Sequence, residues 1–389
     1  MKIKLSLVAA ALALTASAAM AQSQGVSNNE ITLGSIQDLS GPLAGFGKQV
    51  RLGMMLRVDE ANEQGGINGR KFKLIVEDNA SQPQVAVRAA DKLIRSDEVF
   101  AILNSFGSGT NAAVIKRATD AGVIYYAPWG ASSLLQKIGG ASPLSFTTIA
   151  NYDSTTAAAV TWMIDEFKPK KIGYISQEGP LGDLVGAGVK PALAAKGLTL
   201  AAEASYKPGD IDFSSQVARM QAAGVDLIIA ATIIRETVGI AAEVKKLGMK
   251  DVKLLTATPG RTNIVAALGK DAVEGLYGVG TWSSIDPPKA TGDVKKWADD
   301  FQKRFNLAPD ENALLAYAYT DWFVKAVQTA GKDLTADKVV AALKASNITH
   351  PIFYDTKSFV NNHASPESVK VEQIKGGVWT PVSPLLNTK

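Results

Sequence analysis

With 389 residues, 46% of them hydrophobic and 20% charged, the chain can bury one large core or two ordinary ones. The formal charge is +4, falling to +2 once Lys2 and Lys4 are set aside with the leader, and no basic run is interleaved with aromatics, which argues against a nucleic-acid partner. The chain has no Cys and only two histidines, His350 and His363, so disulfides, thiol catalysis, a histidine-based triad and a multi-histidine metal site lack material, and no cofactor is expected.

The first residues read as an export signal. Lys2 and Lys4 form a positive start, Leu5 to Leu14 an apolar run too short to span a bilayer, and Ala19-Met20-Ala21 a small-residue cleavage site. Residues 1–21 are therefore expected to be removed. Without a cysteine to carry lipid, the mature chain is expected free in a bacterial periplasm.

From Glu30 onward short apolar runs alternate with amphipathic stretches, the pattern of βαβ units and a parallel sheet. Strands are predicted at 31–36, 71–77, 99–103 and 123–126, with helices at 45–64, 85–94 and 110–121. That makes one doubly wound α/β lobe. After a break at Gly139-Gly140 and Pro143 the rhythm restarts, with strands at 171–175, 198–204, 226–231 and 252–256 between helices at 156–167, 184–195, 213–223 and 236–247. The stretch 276–282 and helices near 294–305, 313–330 and 336–344 follow. Those late helices have no strands of their own and are expected to pack back on the first lobe, so the chain crosses between lobes more than once. The expected division is 28–148 plus 281–353 for the first lobe and 149–280 plus 354–385 for the second, with a hinge and a cleft between them.

In such lobes ligands bind at the carboxyl ends of the strands. The loop Gly41 to Gly47 follows the first strand, and there Phe46 could wall a site; a plain strand-to-helix turn would look the same. Phe106-Gly107-Ser108-Gly109-Thr110 stands between a strand and a helix, where backbone amides and the helix dipole favour an anion. It also matches a dinucleotide fingerprint with Ala112 at its last position. The acidic residue such a site needs on the following strand is absent, because that strand ends in Tyr125, Tyr126 and Ala127. Trp129 follows in the small-residue loop Trp129-Gly130-Ala131-Ser132-Ser133, placed to stack on a ligand or to pack under the loop. The corresponding second-lobe loops carry Gln177 to Leu181, Thr232 to Arg235 and Thr258 to Thr262. Arg235 and Arg261 are their only fixed positive charges, either a clamp for a carboxylate or solvated helix-terminal arginines.

LSGPLAGFG, RVDEANEQGGINGRKFKLIVEDNASQPQVAVRAADKLI and SFGSGTNAAVIKRATDAGVIYYAP resemble the periplasmic solute-binding proteins of the leucine/isoleucine/valine-binding type, which feed ABC importers. The likeness runs through essentially the whole mature chain. It implies a type I periplasmic binding protein fold, two Rossmann-like lobes joined by three crossovers and closing on one small ligand. It also implies a monomeric, non-enzymatic receptor whose partner is an inner-membrane ABC permease. Carried over by position, the resemblance puts ligand contacts at Phe106, Gly107, Ser108, Trp129, Gly130, Ala131 and Ile233; Tyr152, an aromatic candidate, and Leu181, in the second-lobe loop from Gln177, are expected beside them. Two hydroxyls usual in amino-acid binders are replaced by Gly107 and Ala131. The acid that would neutralise an ammonium falls near Thr258 or Pro259, and no Asp or Glu lies between Asp251 and Asp271. An unpaired buried ammonium is costly. The expected ligand is therefore a small organic carboxylate, aromatic acids included, with a branched-chain amino acid as the alternative within the family. A ligand sensor of a signalling system would share all of these features.

Overall fold

The computed structural model describes residues 23–130, 132–140 and 142–388; the expected signal peptide and Ala131 lie outside the described residues. Among the described residues no helix is long and apolar enough to cross a membrane.

The first sheet is built from β1 (Glu30–Gln37), α1 (Ala44–Glu63), β2 (Lys71–Asp78), α2 (Pro83–Arg95), β3 (Ala101–Leu103), α3 (Ser108–Asp120), β4 (Ile124–Tyr126), α4 (Ser132–Gly139) and β5 (Ser145–Phe146). Its five strands are all parallel, in the order β2-β1-β3-β4-β5. Buried on both faces, β3 and β4 are continuous apolar runs, as parallel strands require. The sequence pattern places the first four strands and misses α4 and β5. A two-residue strand carries no period, and Gly139 closes a helix there instead of marking a break between lobes.

The chain then passes to a second unit: α5 (Tyr152–Phe167), β6 (Ile172–Gln177), α6 (Pro180–Ala194), β7 (Leu200–Tyr206), α7 (Ser214–Ala222), β8 (Leu227–Ala231), α8 (Ile234–Lys246), β9 (Lys253–Thr256), α9 (Asn263–Gly269) and β10 (Tyr277–Gly280). It returns through α10 (Gly292–Phe305), α11 (Glu311–Ala330), α12 (Ala336–Ala345), β11 (Asn347–Ile348), β12 (Lys357–Val360) and β13 (His363–Ser365). It ends in β14 (Ser368–Lys375), β15 (Val378–Pro381) and β16 (Leu386–Asn387). The second sheet runs β15-β14-β10-β9-β8-β6-β7, parallel except where β14 joins β10 and β15 antiparallel.

The late helices do pack on the first lobe. On α1, Gly53 comes so close to α11 that an added Cβ would stand 2.1 Å from the Ala313 carbonyl oxygen, and Arg57 pairs with Asp321 at 2.7 Å. In the second lobe Gly188 of α6 approaches the Asp153 carbonyl of α5 in the same way, also at 2.1 Å. One boundary differs from expectation. The last passage was expected at 354, but Phe359 packs on Phe146 at 4.9 Å, Trp322 at 4.2 Å and Tyr126 at 6.2 Å between ring centres, all first-lobe partners. The chain therefore leaves the first lobe after Ser365, where the three-stranded sheet β11-β12-β13 ends. That crossing is stitched by Glu367, whose carboxylate accepts from the Asn151 amide at 2.8 Å and the Ser154 hydroxyl at 2.6 Å and meets His363 at 2.5 Å.

Candidate functional site

A cavity of about 240 Å³ lies where strand ends of the two sheets face each other. From the first lobe it is lined by Leu43, Phe46, Phe106 and Trp129 with the start of α3; from the second by Leu181, Ile233, Thr258, Pro259, Thr262 and Trp282. Concave, mostly apolar walls with a few polar groups are what small-molecule sites share.

The first-lobe wall is an aromatic row. Phe46 stacks on Phe106 with ring centres 5.8 Å apart, Phe106 on Trp129 at 6.5 Å, and Trp129 meets the edge of Tyr319 at 6.3 Å. Backbone constraints hold the row. Phe46 is placed by the loop after β1, which Asp38 ties down by accepting from the amides of Gly41 at 2.7 Å and Leu43 at 2.9 Å and from the Ser81 hydroxyl. The turns after β3 and β4 are joined: Trp129 N–H donates to Ser105 O at 2.7 Å and Gly107 N–H to Trp129 O at 2.9 Å. Asn111 spans both from below, its Nδ2 donating to Ser105 O at 2.8 Å and Trp129 O at 3.2 Å. Gly130 has to be glycine, because a Cβ there would stand 2.9 Å from Ser108 Cα.

This bonding corrects part of the expected anion site. The Gly107 amide is already committed to Trp129, and the Thr110 hydroxyl donates within its own turn to Phe106 O at 2.5 Å. The anion-binding capacity at the start of α3 therefore rests on Gly109 and Thr110, whose amides, at helix positions N2 and N3, have no i−4 carbonyl to bond.

The two arginines do not reach the cavity. Arg235 is exposed on the first turn of α8, because the buried face of that helix is formed by Glu236, Thr237, Ile240 and Ala241. Arg261 is wholly buried behind the second-lobe wall. Its Nη2 donates to Trp282 O at 2.6 Å, its Nε lies 3.6 Å from Glu372 Oε2, and its Cζ sits 5.1 Å from the centre of the Trp282 ring. Gly278 of β10 leaves the room, since a Cβ there would stand 2.4 Å from Arg261 Cγ. The guanidinium is thus a strut for Trp282 and the partner of an internal carboxylate.

Of the other expected residues, Phe46, Phe106, Gly107, Ser108, Trp129, Gly130, Tyr152, Leu181 and Ile233 all line the cavity. Burial pushes the Tyr152 phenol well up, so it is a neutral hydroxyl at physiological pH. Trp282, Thr262 and Asn312 also line it and were not singled out from the sequence. Trp282 stands just past the end of β10, so the strand-end rule could have found it; Asn312 opens α11, and no sequence signal marks it.

Two features of the second-lobe wall bear on chemistry. Among the described lining residues there is no Asp, Glu, Lys, Arg or His. Beneath the wall, the hydroxyls of Thr232, Thr237 and Thr256 bond one another, at 2.7 Å for Thr232–Thr237 and 2.9 Å for Thr232–Thr256. The positions that an ammonium-neutralising acid would occupy, Thr258 and Pro259, are on the wall and uncharged. Glu311, the carboxylate beside the lining residue Asn312, is engaged elsewhere, since its Oε1 accepts the Asn263 amide at 2.7 Å and so ties α11 to α9 across the lobes. Burial, reinforced by the neighbouring Asp310 and opposed by Arg261, raises its pKa well above the usual carboxylate range.

Comparison with known proteins agrees with this architecture. The profile of the periplasmic binding protein family matches residues 30–377. The Leu/Ile/Val-binding protein BraC3 of Rhizobium johnstonii is 28% identical over 316 residues, 81% of this chain and 83% of that protein. Among solved structures, a fatty acid ABC transporter substrate-binding protein from Thermomonospora curvata superposes with a TM-score of 0.80 at 26% identity, covering 94% of each chain. The solute-binding protein of an ABC transporter from R. palustris, in complex with benzoate, superposes with a TM-score of 0.79 at 18% identity, covering 92% of this chain and 96% of that one.

Proposed function

The chain belongs to the periplasmic binding protein family, and within it we propose a substrate-binding protein of an ABC importer that takes a small organic carboxylate, aromatic acids included, and delivers it to an inner-membrane permease. The observation that carries the ligand class is the lining of the cavity. It pairs an aromatic row and a helix N-terminus on one wall with no charged side chain among the described lining residues. A carboxylate finds amides and a positive dipole end at Gly109 and Thr110. An α-amino group finds no counter-charge, and burying it unpaired costs several kcal/mol or more. The apolar body of the ligand lies against Phe46, Phe106 and Trp129, where stacking adds about 0.5–1.5 kcal/mol per ring pair beyond area burial.

In this reading the protein is a periplasmic monomer without catalytic activity, and its two lobes close on each other about the three crossings. Names among the relatives point to branched-chain amino acids, fatty acids and benzoate. The uncharged lining favours the acids that lack an amine. A thermal-shift panel separates the classes, because a ligand bound to the native state alone raises the melting temperature with concentration. Benzoate and phenylacetate are expected to raise it. Stabilisation by leucine and isoleucine with no response to either aromatic acid would overturn the reading.

A further inference from the structure

Two polar atoms on the second-lobe side of the cavity have no partner. Thr262 Oγ1 and Trp282 Nε1 are both buried, in residues 1% and 6% exposed, both residues line the cavity, and neither atom makes a hydrogen bond. Buried polar side chains are ordinarily satisfied, and an orphaned donor is destabilising, so two orphans in residues that line one wall of the cavity call for a function. Their neighbours rule out simple slack. Thr262 is pinned through its carbonyl, which accepts from Trp379 Nε1 at 2.8 Å, and Trp282 is held through its carbonyl and its ring by Arg261. The wall is rigidly built, and its polar atoms are left over.

We infer that Thr262 and Trp282 form a recognition point for an oxygen at the far end of the cargo, so that the preferred ligand is a carboxylic acid carrying a distal hydroxyl, ether or carbonyl group. This rests on the proposed carboxylate-binding role. An indole N–H only donates, so the ligand atom it meets must accept; a hydroxyl both donates and accepts, so Thr262 can complete either kind of oxygen. With the carboxylate at the start of α3 and the distal oxygen at Trp282, one ligand engages both lobes at its two ends. Closure is then coupled to the length and oxygenation of the cargo.

The test compares 4-hydroxybenzoate with 4-methylbenzoate, near-isosteres that differ in the distal acceptor, by calorimetry on the full mature protein. The wild type is expected to prefer the hydroxy acid about tenfold, the effect of one to two neutral hydrogen bonds. In Trp282→Phe and in Thr262→Val the ratio of the two affinities is expected to fall towards one. The indole N–H resonance of Trp282, assigned by its loss in Trp282→Phe, should move on adding 4-hydroxybenzoate and stay on adding 4-methylbenzoate, a readout that survives should Thr262→Val fold poorly. A wild type without the preference, or variants that keep it, would overturn the inference while leaving carboxylate binding intact. Failure of every acid to bind would bring down the carboxylate reading itself, and the inference with it.

Discussion

The two walls of the cavity are made on different principles. The first-lobe wall is closed on itself: Asp38, Asn111, the Gly107 amide and the Thr110 hydroxyl spend their hydrogen bonds fixing the loops that hold Phe46, Phe106 and Trp129. The second-lobe wall keeps its charge behind it, in Arg261 and Glu372, and carries Thr262 and Trp282, whose buried Oγ1 and Nε1 have no hydrogen-bond partner. One wall is a finished apolar surface with a helix end for an anion. The other is a rigid frame whose polar atoms await a partner. A lone wall of either kind could bind weakly; under the proposed function the two together would select a molecule with an acid at one end.

The sharpest way to break this contrast is to remove the strut behind the second wall. Arg261→Met leaves Glu372 buried without its counter-charge and with only the Tyr354 hydroxyl donating to it, and breaking such a pair costs about 3–5 kcal/mol, read as a lower urea midpoint at unchanged slope. Stability close to wild type would mean that Arg261 is not needed there. On the first wall, Trp129→Ala removes the end of the aromatic row and is expected to weaken benzoate by at least about thirtyfold, as truncation of an aromatic anchor does. Calorimetry gives the number directly.

Helix contacts offer a matched pair, one in each lobe. Gly53→Ala and Gly188→Ala each push a methyl into a carbonyl oxygen 2.1 Å away, and overpacking of that kind costs about 1–3 kcal/mol. The two losses should be similar in size, and a large loss in one lobe alone would show that the helix pairs are not equivalent. A smaller effect belongs to Glu311. Its folded-state pKa is raised, so the folded protein binds the proton more tightly than the unfolded chain; the contribution is full below the ordinary glutamate value and is lost as pH rises above it. Glu311→Gln should therefore flatten the fall in stability between about pH 5 and neutrality, measured as melting temperature against pH. The smallest effect is the most useful control. Arg235→Ala is expected to leave ligand affinity within about threefold of wild type, because that side chain is solvated on α8.

Most of the fold was legible because its signals are local. The alternation of apolar runs and amphipathic stretches placed the strands from β1 to β4 and from β6 to β9 with their helices to within a few residues, and the strand-end rule brought Phe106, Trp129, Leu181 and Ile233 to one cavity. What escaped depends on tertiary context. β5 is two residues long, and the passage after Ser365 is set by Phe359 packing on aromatics far away in sequence, Tyr126, Phe146 and Trp322. Arg235 and Arg261 show the same limit at the site. Their positions in loops are readable, but one side chain turns to water and the other disappears under Trp282, and direction depends on neighbours such as Gly278 that no local pattern reveals.

The central claim is that this cavity accepts an acid and refuses an α-amino group. Calorimetric titration of leucine into protein freed of retained ligand by unfolding and refolding tests it most directly. No measurable heat of binding up to millimolar leucine, in a preparation that does bind benzoate, is the predicted result; a micromolar dissociation constant for leucine would contradict it.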